Sequence, residues 1–184
     1  MNISVLFDET LFLSDDELCI KSITKKDADD FSKIYLNPNC FKFTPGLAKK
    51  TYEETMNILD RYQKGFEEKV FFFPGLYLKD SNKLIGNLEI FNIDKDKEEL
   101  EIGYRINEEY WNKGYTKKGT AMLVDYLFDK VNVKRLNACA IITNTASNKI
   151  LKSLGFILYK QTFHEEEWKD KGFVDLNYYY KEKG

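Results

Sequence analysis

Between Glu99 and Ile142 the apolar residues change period twice, and that change restricts the topology more than anything else in the chain. Leu100, Ile102, Tyr104 and Ile106 alternate with Glu99, Glu101, Gly103, Arg105 and Asn107, which is a strand buried on one face. A glycine-bearing turn follows, Trp111-Asn112-Lys113-Gly114-Tyr115-Thr116-Lys117-Lys118-Gly119-Thr120. Thr120, Leu123, Val124, Leu127, Phe128 and Val131 then recur at the spacing of an amphipathic helix. Leu136, Ala138, Ala140 and Ile142 return to alternation. Strand, helix, strand implies a parallel crossover. The meanders on either side imply antiparallel pairing. The expected fold class is α/β, a mixed and mostly antiparallel central sheet of about seven strands with helices on both faces. A length of 184 residues favours one domain over 1–184.

The flanking segments fit this scheme. Ile3 to Phe7, Leu11 to Leu13 and Leu18 to Ile20 read as short strands. Thr24 with Asp27, and Thr51 with Glu54, have the spacing of helix-opening capping boxes. Ala28, Phe31, Ile34 and Tyr35 share one face of the first helix. Tyr52, Met56, Leu59, Tyr62 and Phe66 form the apolar stripe of the second. Pro74-Gly75 breaks or bulges the strand between Val70 and Leu78, and Leu84 to Ile93 is the next strand. Asn144 can cap a short helix that buries Ser147, Ile150, Leu151 and Leu154 and ends at Gly155. Two last strands, Phe156 to Phe163 and Val174 to Tyr180, join through Lys169-Asp170-Lys171-Gly172.

Hydrophobic residues make up 43% of the chain, enough for a sizeable core, and a net charge of -2 argues against a general nucleic-acid binder. Cys19, Cys40 and Cys139 are odd in number and show no CxxC spacing, so a disulfide framework or a zinc site is not expected. No apolar run is long enough to span a bilayer, and Met1 to Glu9 does not read as a signal peptide. The expectation is a cytoplasmic protein with reduced thiols, no metal, and neither a membrane nor a nucleic acid as partner.

A strand, a glycine turn and a helix start together make a place where backbone N–H groups converge on an anion. A P-loop is disfavoured, because Thr120 stands where its lysine belongs and Ala121 where its metal-binding hydroxyl belongs. The GxGxxG spacing of a dinucleotide site is absent. The turn is instead similar to the acetyl-CoA loop of the GNAT superfamily of N-acetyltransferases, and most of all to its RimJ/RimL type. That family has a loop close to W-G-K-G-Y-A-T-E-A after an E-I-G-Y strand, and an N-x-A-S motif followed by L-G-F. Here Glu101-Ile102-Gly103-Tyr104 precedes Trp111-Asn112-Lys113-Gly114-Tyr115-Thr116. Asn144, Ala146 and Ser147 precede Leu154-Gly155-Phe156. The resemblance runs in order over Leu18 to Tyr180. Asn112 replaces a glycine, Thr116 a small residue, and Lys118-Gly119 the usual Glu-Ala.

The resemblance implies a GNAT-like fold and acetyl-CoA as cosubstrate. Asn112, Lys113, Gly114, Tyr115, Thr116 and Lys117 would hold its pyrophosphate, while Arg105 and Ile106 would offer backbone groups to its pantetheine arm and Asn144 a side-chain hydrogen bond. Lys117 and Lys118 otherwise read as solvated first-turn residues. Acyl transfer also needs a neutral amine: a lysine of pKa about 10.4 is roughly 0.04% neutral at pH 7, an α-amine of pKa about 7.8 roughly 15%. Glu101, on the polar side of its strand, is the first candidate base, and it also reads as a surface carboxylate. Glu166 in the Glu165-Glu166-Glu167 run is a second carboxylate, with Glu89 and His164 behind it. Ser147 is the candidate hydrogen-bond or proton donor to the leaving thiolate, and it also reads as a helix-satisfying serine.

The reading is an N-acetyltransferase acting by direct attack in a ternary complex. The acceptor would be a primary amine, on a protein N-terminus or a small molecule, in a cleft lined by Asn37 to Lys50 with Phe41, Phe43 and Pro45. The alternative is a CoA-binding module with weak or lost catalysis, used for sensing or interaction. A homodimer is common among such proteins and stays open as a partner.

Overall fold

A computed structural model describes residues 1–184. Its eight strands form one sheet in the order β1-β2-β3-β4-β5-β6-β8-β7. In chain order these are β1 (Phe12–Ser14), β2 (Leu18–Lys21), β3 (Gly75–Leu78), β4 (Lys83–Asp94), β5 (Glu99–Ile106), β6 (Arg135–Ile141), β7 (Ile157–Trp168) and β8 (Gly172–Glu182). The helices are α1 (Ile3–Leu6), α2 (Ala28–Tyr35), α3 (Tyr52–Glu67), α4 (Tyr115–Asp129) and α5 (Thr145–Ser153). Every neighbouring pair of strands is antiparallel except β5–β6, which is the expected parallel crossover through α4.

Two cores flank the sheet. The larger packs Leu6, Leu123, Leu127 and Leu151, from α1, α4 and α5, against Leu88, Leu100, Ile102, Leu136 and Ala138. The smaller packs Phe31, Ile34, Tyr35, Leu59 and Tyr62, from α2 and α3, against Cys19, Tyr77 and Leu84. Each helix turns one apolar stripe inward, so a sheet covered on both faces is the arrangement that buries all of them.

Some local expectations change. Ile3 to Leu6 is a helical turn rather than a strand, capped by the Asn2 side chain, which accepts from the Val5 amide. At the first residue of α3, Tyr52 is exposed, while Thr55 is buried and shares a 2.7 Å hydrogen bond with Ser32 of α2. In α5 the buried residues are Asn148 and Leu151, not Ser147.

One irregularity controls what faces the smaller core. Gly86 lies opposite Leu76 and Leu84 opposite Tyr77, so Ile85 is an extra residue on β4. Leu84 belongs to the smaller core and Ile85 to the larger. Beyond the bulge, Leu88 and Ile90 face the larger core, which turns Asn87 and Glu89 to the α2–α3 side. Gly86 permits this, because a Cβ there would lie 2.6 Å from the Arg105 carbonyl oxygen, a backbone atom with no room to yield. We expect Gly86→Ala to destabilise the fold by about 2 kcal/mol, a fall in Tm of roughly 5 °C by thermal melt. An unchanged Tm would contradict the close approach of β4 and β5.

Candidate active site

The parallel pair β5–β6 holds together over only three residue pairs, Glu99 with Arg135, Leu100 with Leu136 and Glu101 with Asn137. Beyond Glu101 the strands diverge. β5 stays in register with β4 as far as Ile106, and β6 stays with β8 as far as Ile141. The rest of β5 therefore has a free edge inside the sheet. The Asn107 amide donates to the Ile85 carbonyl at 2.8 Å, which sets the phase of the antiparallel ladder. By alternation, the backbone groups of Gly103 and Arg105 face β4, and those of Ile102, Tyr104 and Ile106 face the opening. Arg105, expected to serve through its backbone, turns those groups away. The backbone groups of Tyr104 lie on the open edge instead. The Ile106 carbonyl is already occupied by the Trp111 indole N–H at 2.9 Å.

At the open end of β5 the chain turns into α4. Asn112 and Gly114 both adopt left-handed backbone angles, φ 60° and 83°. Gly114 is the N-cap of α4 and gives no side-chain cap. Asparagine tolerates this region better than most residues, which accounts for Asn112 in a position where glycine is usual. None of the amides from Asn112 to Lys117 finds an acceptor in the protein, and the first helical bond is Lys118 N–H to the Gly114 carbonyl. Successive unpaired N–H groups at a helix N-terminus attract anions through both hydrogen bonding and the helix dipole. Lys117 is exposed and free of ion pairs, whereas Lys118 is drawn to Glu17 at the β1–β2 turn, which raises its pKa. Gly119 packs closely under Leu76, where a Cβ would meet Leu76 Cδ1 at 2.7 Å and the leucine would have to shift.

Across the opening, Asn144 caps α5. Its Oδ1 accepts from the Ser147 amide at 3.2 Å and its Nδ2 donates to Ser147 Oγ at 3.0 Å. The Tyr104 hydroxyl reaches toward the Ser147 carbonyl at 3.5 Å, with its pKa pushed up to about 12, chiefly by burial. Asn148 holds the β6–α5 corner. Its Nδ2 donates to the carbonyls of Ile141 and Asn144 at 3.0 and 2.7 Å, and its Oδ1 accepts from Asn177 and Tyr179 at 2.7 and 2.6 Å. Sequence reasoning missed both Tyr104 and Asn148, although the first sits inside a motif that it used and the second directly follows one.

The opposite face of the opening carries a polar cluster between the sheet and α2. Arg105 is at its centre, 8% exposed, its guanidinium 4.2 Å from the centre of the Phe41 ring and 5.2 Å from that of Tyr35. It donates to Tyr35 Oη and Thr44 Oγ1, both at 3.0 Å. The loop carrying Thr44 reaches across to the β7–β8 turn, where the Gly46 amide donates to Asp170 at 3.1 Å and Lys171 donates to the Gly46 carbonyl at 3.2 Å.

The acid and base candidates are not all gathered at one point. Glu101 accepts from Asn92 at 2.9 Å and borders a cavity of about 520 Å³ shared with Asn137, Tyr159 and Tyr178. Glu166 accepts from the Tyr178 hydroxyl at 3.0 Å, and both carboxylates lie within electrostatic reach of Cys139. Ser147 sits across the opening on α5. His164 is exposed at a bulge of β7, 3.2 Å from Asp175.

Known proteins share this architecture. The profile of the Acetyltransferase (GNAT) domain matches residues 17–157. The uncharacterized N-acetyltransferase YoaA of Bacillus subtilis (strain 168) is 25% identical over 144 residues, 78% of this chain and 81% of its own length. The Microcin C7 self immunity acetyltransferase MccE, solved in complex with acetyl-CoA and AMP, superposes with a TM-score of 0.83 at 20% identity, covering 92% of this chain and 94% of its own. RimL, a ribosomal L7/L12 alpha-N-protein acetyltransferase solved without ligand, also gives 0.83, at 15% identity and 94% coverage of both chains. The profile spans well over half of the chain and includes both motifs, so the chain belongs to the GNAT acetyltransferase family.

Proposed function

We propose that the protein transfers an acetyl group from acetyl-CoA to a primary amine by direct attack in a ternary complex. The observation that carries this reading is the pairing of two unsatisfied backbone surfaces. The amides of Asn112 to Lys117 suit a pyrophosphate, and the free edge of β5 beside them suits an amide-bearing arm. MccE, of the same fold, was solved with acetyl-CoA, which supports the assignment.

In this reading the arm runs down the opening and pairs with Tyr104 and Ile106, and the thioester arrives near the point where β5 and β6 rejoin. An edge amide there stabilises the oxyanion that forms on attack. Asn144 and Ser147 flank the sulfur. The departing thiolate, of pKa about 8.5 by analogy with cysteine, needs little more than a hydrogen bond, which the Ser147 hydroxyl supplies. The acceptor amine approaches from the side of Arg105. Candidates are a protein N-terminus, as for RimL, or a small-molecule amine. The α-amine requires less help from a base than a lysine does.

Isothermal titration with acetyl-CoA is expected to show one site, saturating at concentrations on the order of 100 µM or below. No heat at that concentration would refute the reading. Gly114→Val places a β-branched residue at φ 83°, a strain of about 1–3 kcal/mol, so acetyl-CoA affinity is expected to fall roughly tenfold. Unchanged affinity in this variant would show that the pyrophosphate is held elsewhere.

A further inference from the structure

We propose that Glu89, rather than Glu101 or Glu166, takes the proton from the acceptor amine, with Asn87 and Arg105 as its positioning residues. The inference rests on the acetyltransferase reading above and deepens it.

Glu89 lies directly opposite Gly103, the residue between the two edge-facing amides of Ile102 and Tyr104. Its carboxylate occupies the space above that residue. A Cβ on Gly103 would sit 3.0 Å from Glu89 Oε2, and no other glycine in the chain makes room for a carboxylate. The side chain is 17% exposed. Oε1 accepts from Asn87 Nδ2 at 3.1 Å and lies 3.7 Å from Arg105 Nη1, whereas Oε2 has no partner in the protein. A largely enclosed carboxylate with one oxygen fixed and the other free is suited to meet a substrate proton.

The surrounding donors are aligned toward Oε1. A guanidinium can only donate, so Tyr35 Oη accepts from Arg105 at 3.0 Å and itself donates to Asn87 Oδ1 at 3.2 Å. Tyr62 supplies the remaining hydrogen bond to Tyr35. With its oxygen so occupied, Asn87 must present Nδ2 to Glu89. Arg105 is buried and its Nε–H has no acceptor, a costly arrangement that packing alone does not require. The bulge at Ile85 turns Asn87 and Glu89 onto this face, because an unbroken alternation from Leu84 would point both into the larger core. Glu101 and Glu166 differ. Each likewise has one oxygen engaged, by Asn92 or Tyr178, but neither contacts Arg105 or Asn87, and neither lies over Gly103 between the edge-facing amides.

The chemistry balances. The amine lone pair forms the C–N bond to the thioester carbon while the carbonyl pair moves onto oxygen. The N–H proton passes to Glu89 Oε2, directly or through one water. Collapse breaks the C–S bond, the pair leaves on sulfur, and the thiolate takes a proton from solvent as Glu89 returns its own. The products are the amide and free CoA thiol.

The test is thiol release at saturating acetyl-CoA, with the best amine of a panel as acceptor, over about pH 6 to 10, alongside titration of acetyl-CoA binding. Glu89→Gln keeps the shape and the Asn87 contact. It is expected to lower kcat about a hundredfold or more, with partial recovery at high pH and with acetyl-CoA affinity within about twofold of wild type. Arg105→Met is expected to lower kcat and shift its pH profile, with Arg105→Lys restoring part of the rate. Glu101→Gln is expected to lower kcat less than Glu89→Gln does. The inference is overturned if Glu89→Gln retains kcat within about threefold, or if its loss is matched by an equal loss of acetyl-CoA affinity. A wild-type chain that binds no acetyl-CoA would instead remove the reading beneath it.

Discussion

The rest of the structure depends on a competition between strand partners. β6 is bound to β8 over seven residue pairs and to β5 over three, so its direction follows β8. β5 is bound in the same way to β4. Adjacent strands in a twisted sheet are rotated relative to one another, and here the β5–β6 pairing ends at Glu101. Backbone N–H and C=O groups are normally paired when they lie inside a fold. An internal strand edge without a partner is therefore an unfinished ladder, and it ends beside a helix N-terminus whose amides are also unpaired.

The two faces of the opening have different chemistry. On the α4–α5 side, Tyr104, Asn144 and Ser147 offer neutral donors and acceptors beside the gap. On the α2 side, a buried cation, two tyrosines, an asparagine and a carboxylate form one connected network. Networks of this kind rigidify what they hold, because each member left unpaired in a low-dielectric interior costs more than it would in water. Burial works to lower the pKa of Arg105, yet Tyr35 and Glu89 hold it above the ordinary arginine value, so the centre of this network stays cationic.

The crossover was legible because β5, α4 and β6 carry long, clean periods. The anion-binding turn was legible from Gly114, whose backbone angle is of the kind that glycine supplies. Ile3 to Leu6 misled because four residues are too few to separate alternation from one helical turn; the Asn2 cap decides it. Arg105 could be placed with Glu101 on one side of its strand, but its backbone direction depends on β4, and its burial depends on Phe41 and Thr44, far away in sequence. The face that Glu89 presents is hidden in the sequence for a related reason. Its face is set by one extra residue on β4, and a bulge leaves little trace in sequence beyond Gly86. Ser147 and Asn148 show the limit of resolution at a helix start, where one step along the chain exchanges a buried side chain for a half-buried one.

The central claim is that the inner edge of β5 and the turn before α4 are left open for one bound molecule. Amide hydrogen exchange, read residue by residue with and without saturating acetyl-CoA, addresses it directly. Slower exchange at Tyr104 and Ile106, together with Gly114 to Lys117, is the outcome expected of a ligand that completes the ladder and caps the helix. Protection confined to other parts of the chain, with those amides exchanging as they do in the free protein, would contradict it.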